Sequence, residues 1–165
     1  MRIFKEEQRF TQTWLLVLLT VSAIAPIVIV FKEYRTNEIS FNKLIGTLAL
    51  IFFATILIFF FKLKTRIDEI GIHYQFFPFH LKLKTIAWSE LKSAETRNYD
   101  AISEFGGWGL KGGFFWNKKK GTAINVSGDI GIQLTFKNGK KILIGTQLLN
   151  EANAVLKTYK NKINE

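Results

Sequence analysis

The chain contains no cysteine. That excludes a disulfide framework and every cysteine-ligated metal centre, and it suits a domain facing a reducing compartment. Histidine is nearly as scarce, with only His73 and His80, which lie either side of Pro78. On one strand their odd offset sends the two rings to opposite faces, so they do not make a metal pair. Acidic residues are also few: 13 Asp and Glu against 23 Lys and Arg give a formal net charge of +10. Among those acids, Asp100, Glu104 and Asp129 show no spacing suited to paired carboxylate chemistry. With no Ser-His-Asp arrangement either, we expect no enzyme and no cofactor.

The positive surplus calls for something anionic: phospholipid headgroups, an acidic protein or nucleic acid. It is unevenly placed. From Lys62 onward there are seventeen basic and nine acidic residues, so most of the surplus sits in the second part. Hydrophobicity is partitioned the other way. A mean hydropathy of +0.12 conceals two long uncharged runs, Trp14 to Phe31 and Leu44 to Phe61.

Each run has a length of about 27 Å as a helix, near the thickness of a hydrocarbon core. Trp14 stands at the start of the first, where an aromatic belt residue belongs. Pro26 removes one backbone donor inside it, a break that membrane helices tolerate when a neighbour covers it. The polar connector from Lys32 to Lys43 makes the two a helical hairpin. A helix pair buried in a soluble protein is the competing reading, but neither run leaves the polar face such helices need. A cleaved signal peptide competes for the first run, with Met1 to Arg9 as its charged start. Its apolar length, the missing small-x-small site and the second run argue against that. Lys62, Lys64 and Arg66 flank the second run, so by the positive-inside rule both termini are expected in the cytoplasm and the connector outside.

The domains expected are therefore residues 1–61, a tail and transmembrane hairpin, and residues 62–165, a β-rich domain. Within the tail, Arg2 to Gln12 is expected to form an interfacial amphipathic helix. From Leu63 the pattern turns to period two, predicting strands over 63–67, 72–79, 83–88, 92–98, 123–127, 131–137 and 141–145. Asn138-Gly139 between two alternating runs is a hairpin turn signal. Asn150 is expected to cap an amphipathic helix from Glu151 to about Ile163, with Ala152, Val155, Leu156 and Tyr159 on one face. The fold class is thus α+β: a two-helix hairpin, then a bent antiparallel barrel of about seven strands capped by the helix.

The blocks Ile86-Ala87-Trp88-Ser89-Glu90-Leu91, Phe105-Gly106-Gly107-Trp108-Gly109-Leu110-Lys111 and Ala123-Ile124-Asn125-Val126-Ser127-Gly128, followed by Gly131-Ile132-Gln133-Leu134 and Asn138 through Gln147, carry a resemblance. In this order, over about half of the β-rich part, the chain resembles the bacterial pleckstrin-homology-like (PH-like) membrane proteins. The resemblance implies the inner membrane of a bacterial cell as the site of the hairpin. The family often places a proline and an acid just before the last helix. Leu149-Asn150-Glu151 keeps the acid and lacks the proline. The resemblance suggests a phosphoinositide reader, and the residues argue against one. Such readers gather basic residues on the first two strands and their loop, whereas here that loop carries Asp68 and Glu69, with no Lys or Arg from Ile67 to Leu81.

The most unusual stretch is Gly106 to Lys120. In one reading Trp108, Phe114, Phe115 and Trp116 sit at the bilayer interface or grip a partner, while Lys118, Lys119 and Lys120 meet anionic headgroups. In the other, Trp108 and some phenylalanines are core, the glycines relieve bulges and the lysines solvate a hairpin tip. No Gly-Lys-Ser/Thr follows, so it is not a phosphate loop, and it makes a poor nucleic-acid platform. Two functions remain. The first is a membrane-anchored interaction module that binds a protein segment, itself as a homo-oligomer, or the phospholipid surface. The second is a small structural subunit of a larger membrane complex.

Overall fold

The computed structural model describes residues 2–112 and 121–163. The chain divides into two compact units, one of Met1–Arg9 with Lys62–Glu165 and the other of Phe10–Phe61.

The Phe10–Phe61 unit is a pair of helices, α1 (Thr13–Arg35) and α2 (Phe41–Leu57), the second extended by a 3-10 turn over Ile58–Phe60. Both are long and apolar enough to cross a membrane, and only 6% of each apolar window is buried within the protein. Leu15 and Val30 of α1 and Leu44 of α2 are the buried positions. Hydroxyls inside the helices are satisfied locally: Thr20 Oγ1 donates to the Leu16 carbonyl at 2.9 Å, Thr47 to Lys43 at 2.9 Å and Thr55 to Ile51 at 2.8 Å. Such bonds of a Thr hydroxyl back to the carbonyl four residues earlier are the local way a helix satisfies it. The connector is shorter than expected, because α1 continues through Lys32 to Arg35 and Ser40 accepts from Lys43 N–H to cap α2.

The other unit begins with a correction. Phe4–Arg9 is not an amphipathic helix but a strand, β1, paired antiparallel with β2 (Lys62–Ile67) in the register Phe4↔Ile67 to Arg9↔Lys62. Its alternation, with Phe4 and Gln8 buried, is a period of two that charged neighbours disguise. The helical hairpin is therefore inserted between two adjacent strands. β3 (Gly71–Phe77) and β4 (Lys84–Ala87) complete a four-stranded sheet in the order β1-β2-β3-β4.

A 3-10 turn over Trp88–Glu90 leads to the second sheet. It contains β5 (Leu91–Asn98), β6 (Gly109–Lys111), β7 (Thr122–Asn125), β8 (Ile130–Phe136) and β9 (Lys141–Gly145), ordered β5-β8-β9-β7-β6. A short helix α3 (Ala101–Phe105) precedes β6, and α4 (Leu149–Tyr159) ends the domain with a 3-10 turn to Ile163. The expected bent antiparallel barrel of about seven strands is, among the described residues, two sheets of four and five strands, and the barrel is not closed. Nor is it wholly antiparallel. The last strand enters between β7 and β8, meeting β8 antiparallel and β7 parallel. At its end a Cβ on Gly145 would stand 2.9 Å from Asn125 Cβ, in the last residue of β7. Glycine allows that close approach of the two strands.

The core is formed by the inward faces of both sheets, with Leu63, Ile67, Ile72, Phe76, Ile132 and Leu134 almost wholly buried. Ala152, Val155, Leu156 and Tyr159 are the buried face of α4, as its periodicity predicts. The helix starts at Leu149, two residues earlier than expected, because Ala152 N–H bonds the Leu148 carbonyl and Thr146 Oγ1 accepts from Leu148 N–H. Asn150 lies in its first turn rather than at its cap. Trp88 joins the helix to the sheets: it stacks on Tyr159 at 5.6 Å and donates Nε1–H to the Asp68 carbonyl at 3.0 Å.

Candidate interaction surface

Among the described residues β5 is the longest strand, and it lies at the edge of its sheet, paired with β8 along Leu91 to Asn98. An edge strand offers one row of backbone N–H and C=O groups to any segment that can lie beside it. Here the edge is flanked by α4, tied to it through Thr96 Oγ1 donating to Asn153 Oδ1 at 2.7 Å. Between strand and helix lies a cleft of about 310 Å³ lined by Lys92, Ser93, Glu95, Lys157 and Lys160, with Leu156 among its apolar residues. Three cations against one carboxylate make this cleft electropositive.

The β2–β3 turn carries a buried polar network. Asp68 Oδ1 accepts from Ile70 N–H at 2.9 Å and bonds His73 Nε2 at 3.0 Å, while Oδ2 pairs with Arg66 at 2.8 Å. Thr85 Oγ1 meets the other His73 nitrogen at 2.8 Å. Burial works to raise the Asp68 carboxyl, yet the hydrogen bonds from His73 and the turn amides, with the His73 charge, hold it below the ordinary 3.8. His80 belongs to a separate arrangement. Its Nδ1 accepts from Phe76 N–H at 3.3 Å and its ring meets Tyr74 edge-on at 5.5 Å. Burial and then the nearby Lys84 lower its pKa. The two histidines thus serve different contacts, and among the described residues no group of metal-ligating side chains comes together.

Of the glycine-aromatic-lysine stretch, only its start lies within the described residues. Asp100 caps α3 by accepting from Ile102 and Ser103 N–H, both at 2.9 Å, and Gly106 ends it in the left-handed region at φ 75°. Trp108 follows, half-buried against the cluster of Tyr99, Ala101, Ala123 and Leu143, with Nε1–H on the Gly128 carbonyl at 3.2 Å. Phe114, Phe115, Trp116, Lys118, Lys119 and Lys120 lie outside the described residues.

Two residues of the N-terminal strand reach further than the sequence suggested. Glu6 accepts from Thr146 Oγ1 at 2.6 Å and from Gln147 N–H at 2.8 Å, and Gln8 Nε2 donates to the Gly145 carbonyl at 2.8 Å. Together they fasten the first strand to the turn between β9 and α4. On the exposed face of the same strand, Glu7 is held below its ordinary pKa by Arg9 and then Lys62. The sequence signal was present in the alternation of Phe4, Glu6 and Gln8, but no short-range pattern links it to residues 145–147.

No family model matches the chain, and no curated protein or solved structure matches it significantly.

Proposed function

We propose that the protein is a membrane-anchored interaction module whose PH-like domain, on the cytoplasmic side of the inner membrane, receives an extended acidic segment of a partner protein along β5. The observation that carries this reading is the eight-residue edge strand beside a lysine-lined cleft. Strand addition uses backbone hydrogen bonds for affinity and flanking side chains for selection. Lys92, Lys157 and Lys160 would select carboxylates, and Leu156 gives an apolar side chain a seat. Helices α1 and α2 supply the anchor. Apolar on all sides and scarcely buried by protein, they match lipid better than water. The domain's role is then recognition, and no catalytic step is assigned to it.

The test uses the full chain in detergent micelles and extended peptides of matched length that are acidic, neutral or basic. Acidic peptides should bind best, with affinity falling as salt rises. Lys157→Glu with Lys160→Glu should weaken that binding by at least about tenfold, roughly 1.4 kcal/mol. Equal binding of all three peptides, or indifference to the charge reversal, would overturn the assignment of β5 as the docking edge.

A further inference from the structure

The loop between β3 and β4 exposes an unusual series of apolar side chains. Leu81 is 79% exposed and Phe79 61%, with Leu83 and Phe77 also exposed. This loop is not loosely held. The Gln75 side-chain amide donates to both the His80 carbonyl at 3.1 Å and the Leu81 carbonyl at 3.0 Å. His80 N–H bonds the Phe76 carbonyl at 2.8 Å, and the Phe79 ring stacks on Phe76 at 5.9 Å. A backbone fastened in this way holds Leu81 outward, where an apolar side chain in water is unfavourable.

The sheet register shows where the loop lies. Phe77 pairs with Lys62, and Lys62 pairs with Arg9. Arg9 is followed by Phe10 and Lys62 is preceded by Phe61. The loop therefore sits at the same end of the sheet as both chain connections to the helices. Lys82 and Lys84 alternate with its apolar residues, and on the adjoining strands Arg9, Lys62 and Lys64 outnumber the single carboxylate of Glu7 that they pair with. The opposite end of this sheet, the β2–β3 turn, carries Asp68 and Glu69. Apolar tips ringed by lysine, all at one end, fit a surface with an apolar interior and anionic headgroups.

We propose that the Pro78–Leu83 loop enters the headgroup–acyl boundary of a lipid bilayer, as a third membrane contact beside the two helices. Leu81 and Phe79 enter the acyl region, and Lys82 and Lys84 remain at the phosphates, their stems alongside the apolar residues. This inference rests on the membrane-anchor reading above, and its test is built to separate the two.

The absence of native cysteine allows single nitroxide labels at Leu81→Cys, Ile70→Cys and Val21→Cys in the full chain. Each is reconstituted into phosphatidylcholine–phosphatidylglycerol vesicles, and collision rates are read with oxygen, which partitions into lipid, and with a water-soluble nickel chelate. Ile70 is a matched control: apolar, 62% exposed, and placed at the far turn. The oxygen-to-nickel ratio at Leu81 should stand several-fold above that at Ile70 and approach that at Val21. A lipid-like ratio at Val21 with an aqueous one at Leu81 overturns the loop contact and leaves the anchor intact. Low collision with both reagents at Leu81 means coverage by protein and also overturns it. An aqueous ratio at Val21 removes the anchor and the loop contact together.

Discussion

At the scale of single residues, Asp68 is the side chain on which most of the local order converges. Its carboxylate is 2% exposed, pairs with Arg66 and His73, and accepts the amides that close the β2–β3 turn. Breaking a buried, hydrogen-bonded charge leaves its partners uncompensated. Asp68→Asn is expected to destabilise the domain by about 2–4 kcal/mol, measured by denaturant unfolding. The pH dependence follows from the lowered carboxyl. Its contribution is present in full above the unfolded value and is lost as pH falls through the folded one, so stability should decline below about pH 4. In Asp68→Asn that part of the acid decline should disappear. Gly145 gives a second residue-level test. A methyl there would press on Asn125, which itself donates to the Tyr99 hydroxyl at 2.9 Å and accepts from Gly109 N–H at 2.9 Å. Gly145→Ala should cost about 1–3 kcal/mol, and an unchanged unfolding midpoint would contradict the close approach of Gly145 to Asn125. Neither role was visible in sequence. Asp68 and Glu69 read as turn formers of equal standing, and only the folded register buries one of them.

At the scale of elements, sequence reading served well wherever the determinant was local. Asn138-Gly139 does form the β8–β9 turn, with Gly139 at φ 82°. The alternation of Leu63, Thr65 and Ile67 does mark β2, with those side chains buried. The apolar face of α4 was legible from its helical spacing. What failed was the element whose determinant is remote. Phe4–Arg9 carries four charged residues in six, and its partner strand lies across the whole helical hairpin. A short-range pattern of charge and phenylalanine reads as an amphipathic helix; pairing with β2 makes it a strand. Because Glu6 and Gln8 hold this strand to residues 145–147, Glu6→Ala with Gln8→Ala should lower stability by about 2–4 kcal/mol. It should also raise amide exchange in β1 and β2 before the rest of the domain. Protection that is unchanged in β1 would show the strand to be held by its backbone ladder alone.

At the scale of the whole molecule, composition conveyed the division between apolar helices and a basic β-rich part, because hydrophobic runs and charge surplus need no fold to be seen. Strand order was not legible. The parallel β7–β9 pair and the separation into two sheets depend on which strand enters between which, and the hydrophobic pattern is the same for either order. The lysine-lined cleft beside β5 was not legible in sequence, where only Gly106 to Lys120 stood out as a candidate contact. It arises because α4 packs near that strand. The stretch that looked most distinctive in sequence contributes, in its described part, the packing of Trp108 against Tyr99 and Leu143.

If α1 and α2 cross a bilayer as proposed, the β-rich domain lies on the side opposite their connector. Single cysteines at Glu38, in that connector, and at Lys137, at the start of the β8–β9 turn, test it directly, since no native thiol competes. Each variant is expressed in bacterial cells and exposed to a membrane-impermeant maleimide before and after permeabilisation. Glu38→Cys is expected to react in intact cells, and Lys137→Cys only once the inner membrane is opened. Equal labelling of both positions in intact cells, or of neither until permeabilisation, would contradict a hairpin that spans the membrane.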